Sequence, residues 1–215
     1  MPDGGDAVTI KVISSLDEVE AAHWEACAGN ENPFVSHTFL KALEDSDAAS
    51  GEAGWLPQHI VIEDDNGIAG CAPCYLKNHS HGEYVFDWGW ADAYERAGGQ
   101  YYPKLQVSVP FSPVTGPRLL VRDGDDKTHT RQLLAAGLLE LAKQHKVSSL
   151  HITFPLEEEC TELGEMGLIQ RQGQQFHWQN DGYGTFDDFL DTLNSRKRKM
   201  IRKERATANA EVDIQ

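Results

Sequence analysis

His59-Ile-Val-Ile-Glu-Asp-Asp-Asn-Gly-Ile-Ala-Gly-Cys-Ala-Pro-Cys-Tyr-Leu76 is the stretch whose reading decides the fold class. His59–Glu63 is an apolar run of strand length, and Ile68–Leu76 returns as its partner. Between them, Asp64-Asp65-Asn66-Gly67 carries the Asn-Gly pair favoured in two-residue hairpin turns. Pro73 has no amide hydrogen to give a ladder, so the returning strand must meet an edge or a bulge there. Downstream, Thr128–Lys146 is the clearest helix, with Leu133, Leu134, Gly137, Leu138 and Leu141 on one stripe. Leu150–Phe154 then reads as a short buried strand, and Leu156–Met166 as a helix.

Working outward, Val8–Ile13 alternates as a strand does. Ser14 or Ser15 caps a helix, with Glu18 placed for a capping box. A second short helix spans Ser36–Leu43, and Ser46–Gly54 is a loop by composition. Leu105–Phe111 and Arg118–Val121 are further strand candidates. Beyond the Leu156–Met166 helix come expected strands at Leu168–Arg171 and Gln175–Trp178. Helices follow at Phe186–Leu193 and Ser195–Ala210, and Val212–Ile214 reads as the start of a new strand. This order predicts an α/β fold with a mixed sheet and flanking helices. A chain that stops in an opening strand reads as a fragment of a longer protein.

The 215 residues correspond to between one and two domains. The formal charge of −15 argues against diffuse nucleic-acid binding, but it is uneven. Residues 196–205 hold seven basic residues and one acid, a local +6, against −19 for residues 1–195. No apolar run approaches the ~18 residues of a membrane span, and the acidic start is unlike a secretory signal. Four cysteines without a pairing framework fit a reducing compartment. The expected location is therefore cytoplasmic.

Cys71-Ala-Pro-Cys74, followed by His79 and His81, has the ligand types of a zinc site or a redox dithiol. Along a strand, however, an offset of three puts the sulfurs on opposite faces, and no helix start is present to lower a thiolate pKa. Core cysteines are the preferred reading, with no metal expected. His151, on an apolar run, reads as a core histidine. Val114-Thr115-Gly116-Pro117-Arg118 is a glycine turn that an anion could use, although a plain turn is the preferred reading. From Lys77 to Lys104 the chain is dense in aromatics and charges: Tyr84, Phe86, Asp87, Trp88, Trp90, Tyr94, Tyr101 and Tyr102 beside Lys77, Glu83 and Lys104. Such a loop either lines a site or fills a second small core. In the basic segment, Arg198, Arg202 and Arg205 share a helix face. Like charges at i, i+4 repel, and a compact anionic ligand such as a diphosphate would offset them better than water.

Several segments resemble one family: Asn32-Pro-Phe-Val-Ser-His37, Tyr75-Leu-Lys77, His81-Gly-Glu-Tyr-Val-Phe-Asp-Trp-Gly-Trp-Ala91 and Tyr101-Tyr-Pro-Lys-Leu105. Val109-Pro-Phe-Ser-Pro-Val-Thr-Gly-Pro-Arg118, Phe176-His-Trp178, Phe186-Asp-Asp-Phe189 and Ser195-Arg-Lys-Arg-Lys199 continue the series. Together they resemble the bacterial FemAB-like family of the Gcn5-related acyltransferase superfamily. The resemblance implies tandem acyltransferase-like folds, a complete one over residues 1–170 and the truncated start of a second over 171–215. It implies transfer of an acyl or aminoacyl group to an amine of a peptidoglycan precursor or similar small substrate, with a non-catalytic recognition module as the alternative. The donor would be acetyl-CoA or aminoacyl-tRNA, with no tightly bound cofactor. The first half lacks the Arg/Gln-x-x-Gly-x-Gly/Ala loop of coenzyme A users, so no coenzyme A is expected there. The implied partners are a small anionic or peptide-bearing substrate and, through the basic helix, tRNA. Chemistry and position select Asp87 for proton handling, with Lys77, Tyr102, Lys104 and Arg118 lining the cleft and Arg198 and Arg202 facing phosphate.

Overall fold

The computed structural model describes residues 9–210. They fall into two compact units, one ending at Gln172 and one starting at Gly173. In the first unit, β1 (Thr9–Ile13) leads through a 3-10 turn to α1 (Ala21–Ala28) and α2 (His37–Asp45). Then come β2 (Trp55–Pro57), β3 (His59–Asp64), β4 (Gly67–Ala72), β5 (Cys74–Lys77), α3 (Trp88–Arg96), β6 (Lys104–Val107), β7 (Leu120–Val121), α4 (Lys127–His145), β8 (Leu150–Ile152) and α5 (Glu157–Glu165).

Two four-stranded sheets result, ordered β1-β3-β4-β7 and β2-β5-β6-β8. The first is antiparallel throughout, whereas β6 and β8 pair in parallel. The fold class is therefore mixed α/β, as the alternation of elements predicts. The β3–β4 hairpin closes at Asp64↔Gly67, where Gly67 takes φ +105° and Asp64 accepts the Asn66 amide at 2.8 Å. Pro73 is the hinge between sheets. It separates β4 from β5, so one run of chain serves both sheets.

That hinge also separates the two cysteines. Cys71 packs with Trp24, Cys27, Leu40 and Val61, while Cys74 packs with Leu105, Val107, Leu134 and Leu138. Burial pushes both thiols above the usual range, Cys74 to about 12. α4 starts at Asp126, whose carboxylate accepts the His129 amide, and buries Leu134, Leu138 and Leu141 over both sheets. Each such leucine contributes roughly 2 kcal/mol of burial. Arg131 of α4 joins α5 through Glu158 and Glu162 at 2.9 and 3.1 Å.

In the second unit, α6 (Phe186–Asp191) is capped by Thr185 and α7 (Ser195–Asn209) by Asn194. Trp178, Tyr183, Phe186 and Phe189 cluster edge to face or stacked, and Leu190 is buried.

The strands expected at Leu168–Arg171 and Gln175–Trp178 do not form. Ile169 and Phe176 are 97% and 92% exposed, so neither segment has a sheet edge or an apolar layer to join. The Leu105–Phe111 strand stops at Val107, and the Arg118–Val121 strand shortens to Leu120–Val121. The strand expected at Val212–Ile214 lies outside the described residues. Among the described residues no helix is long and apolar enough to cross a membrane.

Candidate functional site

The second sheet has two unlike faces. Leu105, Val107 and Cys74 point toward α4, with Leu76, Leu150 and Ile152 beside them. Register puts Trp55, Lys77 and Lys104 in one row on the opposite face, and Pro57, Tyr75, Gln106 and His151 in the next. Ser108 and Thr153 extend it by the period of two. This face is polar, yet Trp55, Tyr75, Lys77, Lys104 and Gln106 are fully buried.

The segment between β5 and α3 seals it. Lys104 Nζ donates to Ser80 Oγ at 2.9 Å, Glu83 Oε2 at 2.7 Å and Asp87 Oδ2 at 2.6 Å. Tyr101 also donates to Asp87 Oδ2, at 2.7 Å, and Ser80 shares a 2.7 Å hydrogen bond with the Tyr102 hydroxyl. Lys77 Nζ stands 3.5 Å over the Trp55 ring and donates to the His81 carbonyl at 3.3 Å. With Glu83 and Asp87 drawn inward, the rings between them turn outward. Tyr84 and Phe86 take φ of +58° and +53°, a left-handed backbone that bulky residues rarely adopt. Such strain persists where the surroundings over-determine it.

Six buried polar atoms of this cluster have no protein partner: Trp55 Nε1, Tyr75 OH, Glu83 Oε1, Asp87 Oδ1, Gln106 Oε1 and Ser108 Oγ. Three of them are pure acceptors, two of these on carboxylates. Burial, reinforced by the Lys104 charge, pulls the Lys77 amine down to about 7 against the attraction of Glu83. Burial raises the Glu83 carboxyl despite both lysines. Burial acts the same way on Asp87, but hydrogen bonds from Lys104, Ser80 and Tyr101 outweigh it and hold that carboxyl at about 2. Burial, then Lys104, lowers His151 to about 4. Near neutral pH, Asp87 is thus fixed as an anion and Lys77 is poised to change charge.

Lys77, Asp87, Tyr102 and Lys104 therefore meet in one cluster. Arg118 does not join it. Its buried guanidinium donates to the carbonyls of Thr153, Pro117 and Val114 at 2.9, 3.1 and 2.6 Å and staples its own loop. Arg198 and Arg202 lie in the second unit, bonded to Asp191 and Asp187 at 2.7 and 2.9 Å. Glu83, noted in the same charged and aromatic stretch, joins the cluster, and Ser80, Trp55, Tyr75, Gln106 and His151 belong to it without having been singled out. Their signal was the polar alternation Lys104, Gln106, Ser108, which normally marks a solvent face.

A diphosphate is best held at a helix N-terminus. α4 begins with its cap closed by Asp126, and Asp125 and Asp123 just before it pair with Arg122 and Lys127 at 3.0 and 3.5 Å. Among the described residues no three His, Cys, Asp or Glu side chains are grouped to hold a metal ion.

The sequence matches the family model FemAB-like, described as peptidoglycan biosynthesis/recognition, over residues 15–215. No curated protein matches the chain. Among solved structures it is similar to a ribosomal-protein-alanine N-acetyltransferase from Brucella melitensis biovar Abortus 2308, at 14% identity and TM-score 0.49, over 81% of this chain and 99% of that one. An acetyltransferase from Trypanosoma brucei aligns at 12% identity and TM-score 0.49, over 80% and 100%. Glucosamine-6-phosphate N-acetyltransferase from Arabidopsis thaliana aligns at 9% identity and TM-score 0.45, over 81% and 100%.

Proposed function

Because this chain belongs to the FemAB-like family, we propose that it transfers an acyl or aminoacyl group to a primary amine of a peptidoglycan precursor or similar small substrate. The observation that carries this reading is the set of unsatisfied acceptors on the polar face. Glu83 Oε1, Asp87 Oδ1 and Gln106 Oε1 are buried and await N–H donors, and a primary amine supplies them.

An ammonium cannot attack a carbonyl, so the acceptor must lose a proton first. Lys77, held at about 7, takes that proton. The freed amine attacks the donor carbonyl, a C–N bond forms, the C–O or C–S bond to the donor's leaving group breaks, and the second proton shed by the nitrogen passes to that leaving oxygen or sulfur. Asp87 keeps its charge and positions Lys104. Tyr102 orients Ser80 on the opposite side of the lysine. The segment from Asn78 to Asp87 opens to admit the amine, since Lys77 and Lys104 are fully covered.

The second reading is a module that recognises such precursors without chemistry. The start of α4 favours it, because the Asp126 carboxylate already occupies an amide that a donor diphosphate would use. Labelled acetyl-CoA or aminoacyl-tRNA, incubated with an amine-bearing muropeptide and the full chain, separates the two. Transfer that falls about 100-fold or more in Lys77→Met, with its pH profile altered near neutrality, supports the enzyme. Tight muropeptide binding without transfer from either donor supports the module.

A further inference from the structure

The Asn78–Asp87 segment that covers Lys77 and Lys104 is fastened at one end by an imidazole. His79 Nδ1 accepts the His81 amide at 3.2 Å, and His79 Nε2 lies 3.1 Å from the Ala53 carbonyl in the loop before β2. An amide N–H only donates and a carbonyl only accepts. Both bonds together therefore require the neutral ring with its hydrogen on Nε2. His81 is gripped at both of its backbone groups, the amide by His79 and the carbonyl by Lys77 Nζ at 3.3 Å. One ring thus ties the cover both to the neighbouring loop and to the residue that caps Lys77.

The surroundings are shaped to receive that ring. Gly54 takes φ +73°, and a Cβ there would collide with His79 Nε2 and Asn78 Oδ1. Gly82, at φ +80°, repeats the arrangement farther along the cover. Its carbonyl accepts the Phe111 amide at 3.1 Å, and a Cβ on it would strike the Phe111 ring. Of these two outer ties, the one through Gly82 is backbone and cannot titrate, whereas the one through His79 can.

A proton on Nδ1 would set N–H against the His81 N–H and place a second positive charge near Lys77. Lys77 of β5 and His81 of the cover are the titratable groups acting on the ring, while Glu52, in the loop before β2, is exposed. Burial, then the charges of Lys77 and His81, lowers the His79 pKa and keeps the closed ring neutral near pH 7. Once the cover opens, the ring returns toward its ordinary 6.5. Below that value the open form binds the extra proton, so closure weakens as pH falls.

We infer that His79 is a pH-sensitive latch on the cover of the polar face, holding it shut while the ring is neutral and releasing it once both ring nitrogens carry hydrogen. Its use in admitting an amine rests on the transfer reading, whereas the latch itself requires no chemistry behind it.

The test is hydrogen exchange of the full chain at pH 7.5 and 5.5, read by mass spectrometry, with each rate divided by its unstructured value at that pH. Residues 78–87 should lose about tenfold of their protection at the lower pH, because the freed ring takes its proton about one unit above it. Residues 134–141 of α4 should keep theirs. His79→Asn retains an acceptor and a donor but does not titrate, and should show no acid step. His79→Phe offers neither bond, and should leave the cover equally open at both pH values. Wild-type protection indifferent to pH overturns the inference. So does an acid step that survives in His79→Asn or spreads to α4, or a cover that stays protected in His79→Phe. No substrate enters this measurement, so a chain that transfers no acyl group can still show the step, and an active one can lack it.

Discussion

Lys104 and Asp87 form a 2.6 Å ion pair in which neither side chain is more than 1% exposed, and Glu83 closes on the same ammonium at 2.7 Å. One cation thus answers two buried carboxylates. Removing it strands both, and breaking a buried pair costs about 3–5 kcal/mol. Lys104→Met should therefore lower the Tm by on the order of 10 °C. Adding Glu83→Gln and Asp87→Leu should recover a large part of the loss, because no buried carboxylate is then left without its cation. A Lys104→Met melt within a degree or two of wild type would show that water, not protein, surrounds the triad.

The same cluster predicts how stability varies with pH. Lys77 titrates at about 7 in the folded chain, below its ordinary 10.5. Between those values the unfolded chain binds the extra proton, so stability rises with pH across the window. Asp87 has the opposite placement, at about 2 against an ordinary 3.8. Its contribution, roughly 2 kcal/mol, is present above pH 4 and is lost as pH falls toward 2. Glu83, raised, binds its proton more readily when folded, and so offsets part of that acid loss. Urea unfolding from pH 7 to 8.5, below the range where unfolded Cys71 and Cys74 ionise and the raised thiols begin to lower stability, should show a rising midpoint that Lys77→Met flattens. Asp87→Asn should flatten the acid limb instead. A wild-type midpoint that does not rise over the alkaline range would mean Lys77 is solvated.

The hairpin and α4 were legible because local signals and tertiary packing agree there. Asn66-Gly67 closes the turn, and the stripe through Leu134, Leu138 and Leu141 is the buried one. Disagreement begins where one level overrides another. Lys104, Gln106 and Ser108 alternate like a solvent face, yet all three are buried, Lys104 under the Asn78–Asp87 segment, and nothing periodic in that segment announces its path. α3 went unread because Trp88-Gly89-Trp90 is poor in helix formers. The helix is also exposed on nearly every side apart from Ala91, so it lacks the amphipathic stripe. Density of charge beside aromatic rings singled out Lys77, Asp87, Tyr102 and Lys104, and these four side chains cluster in the fold. Gly116-Pro117-Arg118 reads first as a plain turn and only second as an anion turn, and the guanidinium faces carbonyls, because a buried loop must first satisfy its own backbone.

Glu159 tests that backbone requirement directly. Its carboxylate accepts three amides, from Arg118, Leu119 and Leu156. Glu159→Ala would leave them without an acceptor, each at about 1–3 kcal/mol, and should destabilise the first unit by at least ~3 kcal/mol. Glu159→Gln keeps one acceptor oxygen and should fall between. Hydrogen exchange at residues 118 and 119 is the direct readout. Amides that stay as protected in Glu159→Ala as in wild type would show that the loop is held by other contacts.

The basic helix yields the last prediction, since its charge is partly answered within its own unit. Arg198 reaches Asp191, Arg202 reaches Asp187, and Arg205 lies 4.3 Å over the Phe186 ring, so α6 supplies partners to α7. An incoming phosphate must displace those carboxylates before either fork can engage it. Asp187→Asn with Asp191→Asn removes the competition while leaving every arginine in place. If Arg198 and Arg202 contact phosphate, inorganic pyrophosphate should bind this double variant more tightly than wild type. Its affinity should also fall more steeply with salt, because the larger uncompensated positive charge that attracts it is screened. Charge reversal at Arg198 and Arg202 should then eliminate the gain. Equal pyrophosphate affinity in all three proteins would assign the +6 segment to solvation alone, with α6 as its neutralising partner.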